Sequence, residues 1–568
     1  MASINNPLSV AASSMNIRSV LQEYINKMLS GIDGMKVLVL DKETAGMVSM
    51  VYSQSEILQK EVFLFEKIDS NSREKMPHMK AVYFVRPTQA NVNMIADELR
   101  NPKYSDYHLF FTNVIGSASM DEMAKVDDKE LVKEVQEFYG DFYPVNPDTY
   151  SLNITGALTK RSSAWQTNVN RIIDGVIASL LALKKKPVIR YSAKSEVTKY
   201  LAEVVLSKIQ KEKEIFDFRK QDSVLLILDR KDDPITPLLH QWTYQSMIHE
   251  LLTISNNRVS LSKTAEVDPN NEFILSIDQD SFYKDNLYKN YGDLGASIKD
   301  LVETYQKKRD ESSANIRTID EMKKFIEQYP NFQKFSTTVS KHVNLMDAMS
   351  KKISDNYLME ISEIQQELAC NSDHNSAYAR LNEILDNPKY SNTDKLVLVL
   401  LYSIRYEDGR VWELQEKLSR CGVPPSDIAL IQHLKEYAGN TQREGDLLGT
   451  KNVLTNFMNG VVKRGLQGVS NIYTQHVPLL QEILDNISKN KLKEQSYPFL
   501  TPNPPKERPN DIIVFVVGGI TFEEAYNVFK FNSMNSNNGI RVVLGGTTIL
   551  NCTQFLDDLH NLKLMSVR

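Results

Sequence analysis

The chain has 568 residues, enough for three or four domains, and its 67 basic and 72 acidic side chains give a formal net charge of −5. Its 42% hydrophobic and 24% charged residues are typical of globular proteins and exclude collagen, a fully disordered chain and a small disulfide-rich domain. A balance this close to neutral gives no electrostatic reason to expect nucleic acid or an anionic membrane as a direct partner.

The beginning of the chain predicts an α/β domain. Residues 1–14 lack the apolar core of a secretory signal, and we expect them to form a disordered tail. Apolar residues then recur at helical spacing over residues 20–29. Short apolar runs, typical of strands buried on both faces of a parallel sheet, follow at 35–40, 81–85 and 108–112. Residues 15–150 are therefore predicted to be one α/β domain.

A second α/β unit is interrupted by a long helical stretch. Its predicted elements are helices at 172–183 and 197–209 and strands at 187–191, 224–228, 512–517 and 541–544. Because two strands make too small a sheet, the two late strands are expected to join the sheet that begins at residue 187. The helical residues from about 245 to 495 are then an insertion, and five prolines between Tyr497 and Pro509 mark the return to the sheet.

Neither the cysteines nor the apolar runs indicate a covalent framework or a membrane span. The longest apolar run, around 396–402, is far shorter than the roughly eighteen residues that cross a bilayer. No Cys-x-x-Cys pair occurs, so we expect no zinc site and no disulfides, only reduced and mostly buried thiols. The three cysteines are Cys370, Cys421 and Cys552. These features predict a soluble intracellular protein.

Residue groups with catalytic potential all have simpler explanations. The Gly-Gly pairs at 518–519 and 545–546 lack the Lys-Ser/Thr of a phosphate-binding loop, and tight strand-to-helix turns explain them. Asp278 and Asp280 resemble the acidic pair of sugar-nucleotide enzymes, but they lie in the helical insertion. Capping of a turn or helix explains a third group, Asp229, Asp232 and Asp233. We expect no catalytic residues, no metal and no cofactor; the alternative is a nucleotide- or sugar-nucleotide-dependent α/β enzyme.

Residues 228–252 read LDRKDDPITPLLHQWTYQSMIHELL, which resembles the signature of the SM (Sec/Munc-type) family of syntaxin-binding regulators of SNARE-mediated membrane fusion. The resemblance extends over nearly the whole chain, through MKVLVLDKET at 35–44, YTQHVP at 473–478, VFVVGGIT and RVVLGGTT. Residues 47–69 are most similar to the branch of the family that acts at the trans-Golgi network and endosomes.

The resemblance implies a non-enzymatic protein with a three-domain arch, built from two parallel-sheet α/β domains and a helical domain. The implied domains are 15–150, the split 151–244 with 505–568, and 245–504. The implied partners are an endosomal or trans-Golgi syntaxin, its SNARE complex and a Rab effector, with no nucleic acid. A monomer is expected in the cytoplasm, peripherally associated with trans-Golgi and endosome membranes through its partners.

The family binds a syntaxin N-terminal peptide in an apolar pocket of its first domain. By alignment along 115–144, the pocket positions are Met120, Val132, Val135 and Glu137, the last pairing with a basic residue of the peptide. Leu131, Val135 and Phe138 also recur at helical spacing, which predicts a helix and gives Val135 an alternative role in the core. Met120 has an alternative role as a gap filler.

The family also binds SNARE helices on its helical domain. Helical periodicity runs from residue 321 into Pro330 and resumes to residue 352. A proline inside a helix costs roughly 3 kcal/mol, so we expect a bend or break at Pro330. The resemblance implies a switch there between a folded-back and an extended helix, with Val343 as a groove contact. A fixed turn between two core helices is the alternative.

One position departs from the family pattern. Relatives that clasp a closed syntaxin carry an arginine shortly after the first strand, where this chain has Gly46. We therefore expect the peptide mode of binding rather than binding of closed syntaxin in a central cavity. A third hypothesis, a purely structural tether, predicts no affinity for any syntaxin peptide.

Overall fold

A computed structural model of the chain describes residues 15–218, 223–261, 272–314, 319–370, 373–407, 409–443, 472–501 and 507–562, and for residues 311–314 and 319–329 it gives the backbone only. The expected tail, residues 1–14, lies outside this part. The chain forms two compact units. The first contains residues up to Arg230 with Glu482–Ile520 and Asn527–Ile549, and the second contains Lys231–Gln481, Thr521–Tyr526 and residues from Leu550 onward.

The first unit contains a five-stranded sheet. Its strands are β1 (Lys36–Leu40), β2 (Val62–Lys67), β3 (Met76–Val85), β4 (Tyr104–Phe111) and β5 (Val132–Glu137). They are parallel throughout and lie in the order β2-β1-β3-β4-β5. The apolar runs that predict β1, β3 and β4 are continuous because one core cluster packs on each face of the sheet. β2 is a strand that the sequence pattern does not predict.

The predicted helix through Leu131, Val135 and Phe138 is wrong, since β5 occupies this segment at the edge of the sheet. Over so short a segment, apolar residues three apart fit a helix face or a bulged strand equally well. Here the register of β5 against β4 skips Lys133. This irregularity lets Val132 and Val135 pack against the same core cluster.

A six-stranded sheet completes the first unit. Its strands are β6 (Tyr143–Asn146), β7 (Thr149–Ser151), β8 (Val188–Tyr191), β9 (Ser223–Asp229), β12 (Asp511–Val517) and β13 (Arg541–Gly546). The order is β6-β7-β13-β12-β9-β8, and every pair except β6–β7 is parallel. The prediction that the two late strands join the sheet of residue 187 is confirmed, because β12 pairs with β9. Residues 143–150, grouped with the first α/β domain in the sequence, lie in the strands and turn that pair in this second sheet.

Up to residue 230, the described part of the first unit contains seven α-helices. They are α1 (Ile17–Ser30), α2 (Lys42–Val51), α3 (Gln54–Leu58), α4 (Gln89–Arg100), α5 (Ser117–Ala124), α6 (Ser163–Ala182) and α7 (Glu196–Lys211). All but α5 follow an Asn, Asp, Ser or Thr whose side chain accepts a backbone N–H of the first turn. Such caps satisfy amides that have no partner within the helix and so fix where each helix begins.

The second unit is mainly helical, as the periodicity from 245 to 495 predicts. Its helices up to residue 443 are α8 (Tyr244–Leu252), α9 (Ser281–Asn286), α10 (Tyr291–Ala314), α11 (Ile319–Asp355), α12 (Leu358–Cys370), α13 (His374–Asp386), α14 (Asn392–Arg405), α15 (Val411–Arg420), α16 (Pro425–Ile428) and α17 (Leu430–Ala438). A small antiparallel pair consists of β10 (Arg258–Ser260) and β11 (Glu272–Ile274). Later in the described part of the chain, α20 (Cys552–His560) belongs to the second unit. The unit boundaries divide α18 (Leu479–Ser488) and α19 (Phe522–Met534), whose larger parts belong to the first unit.

The long apolar run of the sequence is α14, a helix buried on all sides from Lys395 to Ile404. Among the residues that the structure covers, no helix combines the length and the hydropathy needed to cross a membrane. The three cysteines are free thiols, of which Cys552 is buried. Cys370 and Cys421 are half-buried, so the expectation of mostly buried thiols holds only in part.

Candidate partner-binding sites

The first sheet has the strand order in which α/β proteins bind small molecules at the point where the chain reverses direction, here between the ends of β1 and β3. In this chain, the residues that follow those two strands, Asp41 and Arg86, fill the crevice. The carboxylate of Asp41 accepts the backbone N–H of Arg86 at 2.7 Å and the Asn91 amide at 2.8 Å. The Arg86 guanidinium donates to both oxygens of the fully buried Asp141, at 2.9 and 3.4 Å.

A second guanidinium balances the charge of this cluster. Arg171 lies 3.3 Å from the Asp141 carboxylate and donates to its backbone carbonyl at 3.0 Å. Both guanidinium groups therefore pair with the Asp141 carboxylate, whereas Asp41 is held by hydrogen bonds from a backbone N–H and an amide. A nucleotide would have to displace these ion pairs, so the crevice is built as structure and not as a ligand site.

The two Gly-Gly pairs also have structural roles, but for different reasons. Gly518 and Gly519 follow β12 with φ of 90° and 102°, a backbone conformation that favours glycine, as the predicted tight turn requires. Gly545 and Gly546 lie inside β13, so the predicted turn is wrong for this pair. A β-carbon on Gly545 would lie 2.1 Å from the ring of Tyr150, and this close packing explains the glycine.

Asp280, half of the suspected metal-binding pair, is committed to holding α9 and α11. One carboxylate oxygen accepts the backbone N–H of Tyr283 at 2.9 Å and so caps α9. The other accepts from His342 at 2.9 Å and pairs with Lys341. Although burial opposes its charge, these two partners hold the pKa of Asp280 below its usual range. In the described part of the chain, no group of three or more His, Cys, Asp or Glu side chains could hold a metal ion.

The signature stretch and the later YTQHVP motif meet within the second unit. The Asp233 carboxylate accepts the backbone N–H of Thr236 at 3.0 Å, as the capping interpretation expects, and that of Leu479 at 3.1 Å. The Thr236 hydroxyl lies 3.0 Å from the His476 ring, and Gln366 of α12 accepts the His476 backbone N–H at 2.7 Å. The most recognisable residues of the sequence thus form the scaffold of this unit.

The four predicted pocket residues lie together on one flank of the first sheet. Met120 is on α5, and the other three are on the neighbouring edge strand β5. Met120, Val132 and Val135 are half-buried and pack against one core cluster. They therefore combine an apolar surface with partial access, which both the pocket prediction and the core alternatives allow.

Glu137 is more constrained than the sequence suggests. Its two oxygens accept hydrogen bonds from the Ile115 backbone N–H at 2.8 Å and the Tyr139 hydroxyl at 3.0 Å. Burial raises the pKa of Glu137 although both hydrogen bonds oppose the shift. Each oxygen keeps a second lone pair, so the carboxylate can still accept from a partner that approaches its open side.

The helices α10 and α11 form an antiparallel hairpin. The Tyr291 hydroxyl donates to Ser350 at 2.9 Å, and fourteen residues further along α10 the Tyr305 hydroxyl accepts from Ser336 at 3.3 Å. The predicted break at Pro330 is wrong, because α11 is one helix from Ile319 to Asp355 with the proline inside it. Contacts from α10 to the turn after the proline accompany this continuity, and they join residues too distant in sequence for local periodicity to reveal.

Val343 lies on α11 with 37% of its surface exposed, whereas the adjacent His342 is fully buried. The His342 ring donates to Asp280 at 2.9 Å through Nε2 and lies 2.7 Å from the Tyr244 hydroxyl through Nδ1. These contacts fix the rotation of α11 about its axis, so Val343 is presented on the outside. A single exposed apolar side chain is common on protein surfaces, so the role of Val343 as a groove contact stays a prediction.

A sequence model of the Sec1 family matches residues 36–558. Vacuolar protein sorting-associated protein 45 of Dictyostelium discoideum is 64% identical to the chain over 553 residues, with 97% of each sequence covered. The protein of the same name from Homo sapiens is 46% identical over 557 residues, with 96% of each covered.

Solved structures of this group resemble the chain over its length. The SM protein Vps45 in complex with the Qa SNARE Tlg2 is 41% identical, with a TM-score of 0.87 that covers 96% of this chain and 98% of that one. The Unc18–syntaxin 1 complex of Monosiga brevicollis is 20% identical with a TM-score of 0.80 and shares the fold, covering 97% of this chain and 100% of its own.

Proposed function

The chain belongs to the Sec1 family of SM proteins, and from this membership we propose that it binds a Qa-type syntaxin and promotes SNARE assembly without catalysing a reaction. One observation carries the proposal: the chain resembles Vps45, bound to the Qa SNARE Tlg2, over 96% of its length at 41% identity. The charged pairs that fill the small-molecule crevice of the first sheet support a scaffold over the alternative enzyme.

We propose the same domain boundaries as those expected from the sequence. Residues 15–150 are the first domain, 151–244 with 505–568 the second, and 245–504 the third. We assign the N-terminal peptide of the syntaxin to the flank formed by α5 and β5, with Met120, Val132 and Val135 as the apolar floor. Glu137 would accept a hydrogen bond from a basic residue of the peptide.

The second proposed site is the hairpin of α10 and α11, where Pro330 and Val343 lie. A SNARE helix that docks along α11 would be held in one register before its partners arrive. Such a template lowers the ordering entropy that otherwise slows the assembly of several helices. The hydrogen bond between His342 and Asp280 fixes the rotation of α11 about its axis, and this favours a single register for a SNARE helix docked on α11.

We further propose that the protein works in the cytoplasm on trans-Golgi and endosomal membranes, as a monomer held there by its syntaxin. A Rab effector would assist recruitment. These assignments follow from the family branch that residues 47–69 resemble.

A pull-down tests the central proposal. The immobilised cytoplasmic part of an endosomal syntaxin should retain the purified chain, and deletion of its first twenty or so residues should sharply reduce retention. A plasma-membrane syntaxin of equal length serves as the control. If no Qa-type syntaxin retains the chain, the proposal fails.

A thermal-shift assay tests the alternative enzyme. Nucleotides and sugar nucleotides, each with and without Mg²⁺ or Mn²⁺, should leave the melting temperature unchanged. A ligand at 100 times its Kd would stabilise the protein by about 2.7 kcal/mol, which would be clearly visible. Such a shift would favour the enzyme.

A further inference from the structure

An aromatic cluster joins α10 to the turn of α11 that follows Pro330. The ring of Tyr305 on α10 stacks on Phe332 with a centroid distance of 5.6 Å and an interplanar angle of 17°. Phe335 lies 6.1 Å from the same ring at 51°, and the Lys308 ammonium lies 4.7 Å from the centre of the Phe335 ring. We call the residues Tyr305, Lys308, Phe332 and Phe335 the aromatic clasp.

The clasp lies where the helix needs support. Pro330 cannot donate a hydrogen bond to the carbonyl four residues earlier, and its ring crowds that carbonyl, yet α11 passes through it without interruption. Pro330 itself is exposed, whereas Phe332 and Phe335 are half-buried within the next one and a half turns. Packing on these two rings can therefore hold the backbone helical immediately after the proline.

Among the α11 side chains that the structure describes, those from Pro330 onward, the other contacts begin further along the helix. Val339, His342, Leu345 and Met349 are buried, and Asp280 and Tyr244 hold His342. These contacts anchor the later part of α11 whether or not the helix continues back through the proline. Among the described contacts of α11, the aromatic clasp is therefore the one that packs on the residues just after Pro330.

We infer that the aromatic clasp is the positioning element that keeps α11 continuous across Pro330 and so holds the hairpin ready for a SNARE helix. Tyr305 is its central residue, because it contacts both phenylalanines and accepts the hydrogen bond from Ser336. The first half of this inference, that the clasp keeps α11 continuous, stands on the geometry alone. The second half, that the hairpin is thereby ready for a SNARE helix, rests on the proposed function of the hairpin.

Hydrogen exchange of the full-length chain tests the first half. Tyr305→Ala should accelerate exchange of the amides at 331–338 at least tenfold, while Tyr305→Phe, which keeps the ring, should remain close to the parent. Trp412→Ala, which removes an aromatic ring that is 67% exposed on α15, is the matched control and should change nothing in this segment. Parent-like exchange in Tyr305→Ala would overturn the inference.

Removal of the proline provides a rescue. If the clasp serves to offset the proline, Tyr305→Ala combined with Pro330→Ala should return exchange of the 331–338 amides to within about twofold of the parent. If Tyr305 only stabilised the unit in general, replacing the proline on the other helix would not restore the exchange rate. Failure of the rescue would therefore overturn the link between the clasp and Pro330.

The second half is tested by binding of a fluorescent peptide that comprises the SNARE motif of a vesicle (R-type) SNARE. Pro330→Ala should bind it more tightly than the parent, Tyr305→Ala at least fivefold more weakly, and the double variant should recover. Faster exchange in Tyr305→Ala with unchanged peptide binding would overturn the clasp's role in SNARE binding. If even the parent does not bind the peptide, the proposed hairpin site fails, while the exchange results still decide the first half.

Discussion

The ring of Tyr143 lies 2.8 Å from the position that a β-carbon would occupy on Gly46. Gly46 is inside α2, and Tyr143 is a nearly buried residue of β6. The arginine of relatives that clasp closed syntaxin could not stand at this position without displacing the tyrosine. The peptide mode of binding stays a prediction.

Gly46→Ala should destabilise the protein. In an open helix, alanine is more stable than glycine by about 0.5–1 kcal/mol, but here the methyl group would force Tyr143 out of its place. We expect a lower melting temperature in thermal unfolding followed by circular dichroism. Gly295→Ala on α10 is the matched control, because the nearest atom there lies 4.0 Å from the added carbon. Equal or higher stability of Gly46→Ala would show that Tyr143 moves freely.

Met120→Arg should weaken binding of the syntaxin N-terminal peptide at least about tenfold, or about 1.4 kcal/mol, in isothermal titration calorimetry. The charged group would lie in the apolar floor, whereas the partial exposure of Met120 lets the longer side chain reach water and spare the fold. The melting temperature should stay nearly unchanged. Met120→Leu keeps the apolar surface and should bind like the parent; unchanged affinity of Met120→Arg would remove Met120 from the pocket.

Two substitutions at Glu137 separate its structural and binding roles. Glu137→Gln keeps an acceptor for the Ile115 N–H but loses the charge, so peptide affinity should fall by about 1 kcal/mol or less with stability retained. Glu137→Ala leaves that amide without its partner and should cost about 1–3 kcal/mol of stability. Both are measurable by calorimetry beside thermal unfolding. Parent-like affinity of Glu137→Gln would make Glu137 a purely structural residue.

A pH effect is expected from Glu250 of the second unit. Nδ1 of His240 lies 3.8 Å from the Glu250 carboxylate, and Nε2 lies 3.9 Å from the Asp394 carboxylate; both distances are too long for hydrogen bonds. Burial raises the pKa of Glu250 to about 7, although the backbone N–H of Cys552 opposes the shift. Between about pH 4.5 and 7 the folded protein therefore holds a proton that the unfolded chain releases.

Because the folded state binds more protons in that window, the contribution of Glu250 to stability falls as the pH rises through it, by about 3 kcal/mol in total. Glu250→Gln cannot ionise, and its amide can donate towards His240. The melting temperature of Glu250→Gln minus that of the parent should increase by several degrees from pH 5 to pH 8. A difference that does not vary with pH would contradict the raised pKa.

The sequence predicts most strands that are buried on both faces, whereas of the edge strands β2, β5, β6 and β8 of the two large sheets it predicts only β8. β1, β3, β4, β9 and β12 are covered on both faces, so their residues form unbroken apolar runs that few other structures explain. β5 is half-buried at an edge of the sheet. A bulge there lets Val132 and Val135, which are three residues apart, pack against the same core cluster. Such a pattern imitates a helix, and only the pairing with β4 resolves it.

The structure places the predicted pocket residues on α5 and β5, but their role as a pocket stays a prediction. Local spacing did not indicate that Glu137 accepts hydrogen bonds from Ile115 and Tyr139. The intrinsic cost of Pro330 predicted a bend or break, and the break does not occur. The stacking of Tyr305 on Phe332, between residues far apart in sequence, accompanies a continuous helix there.

The middle of the six-stranded sheet has a consequence for biosynthesis. β12 lies between β9 and β13, so the ribosome must complete the whole helical stretch before this central strand can be inserted. Until then the nascent chain carries the uncovered edge of β9, a site prone to misassembly that chaperones would have to shield. A chain that ends anywhere before residue 511 would lack this central strand. We therefore expect it to be degraded rather than to persist as a shorter, partly active protein.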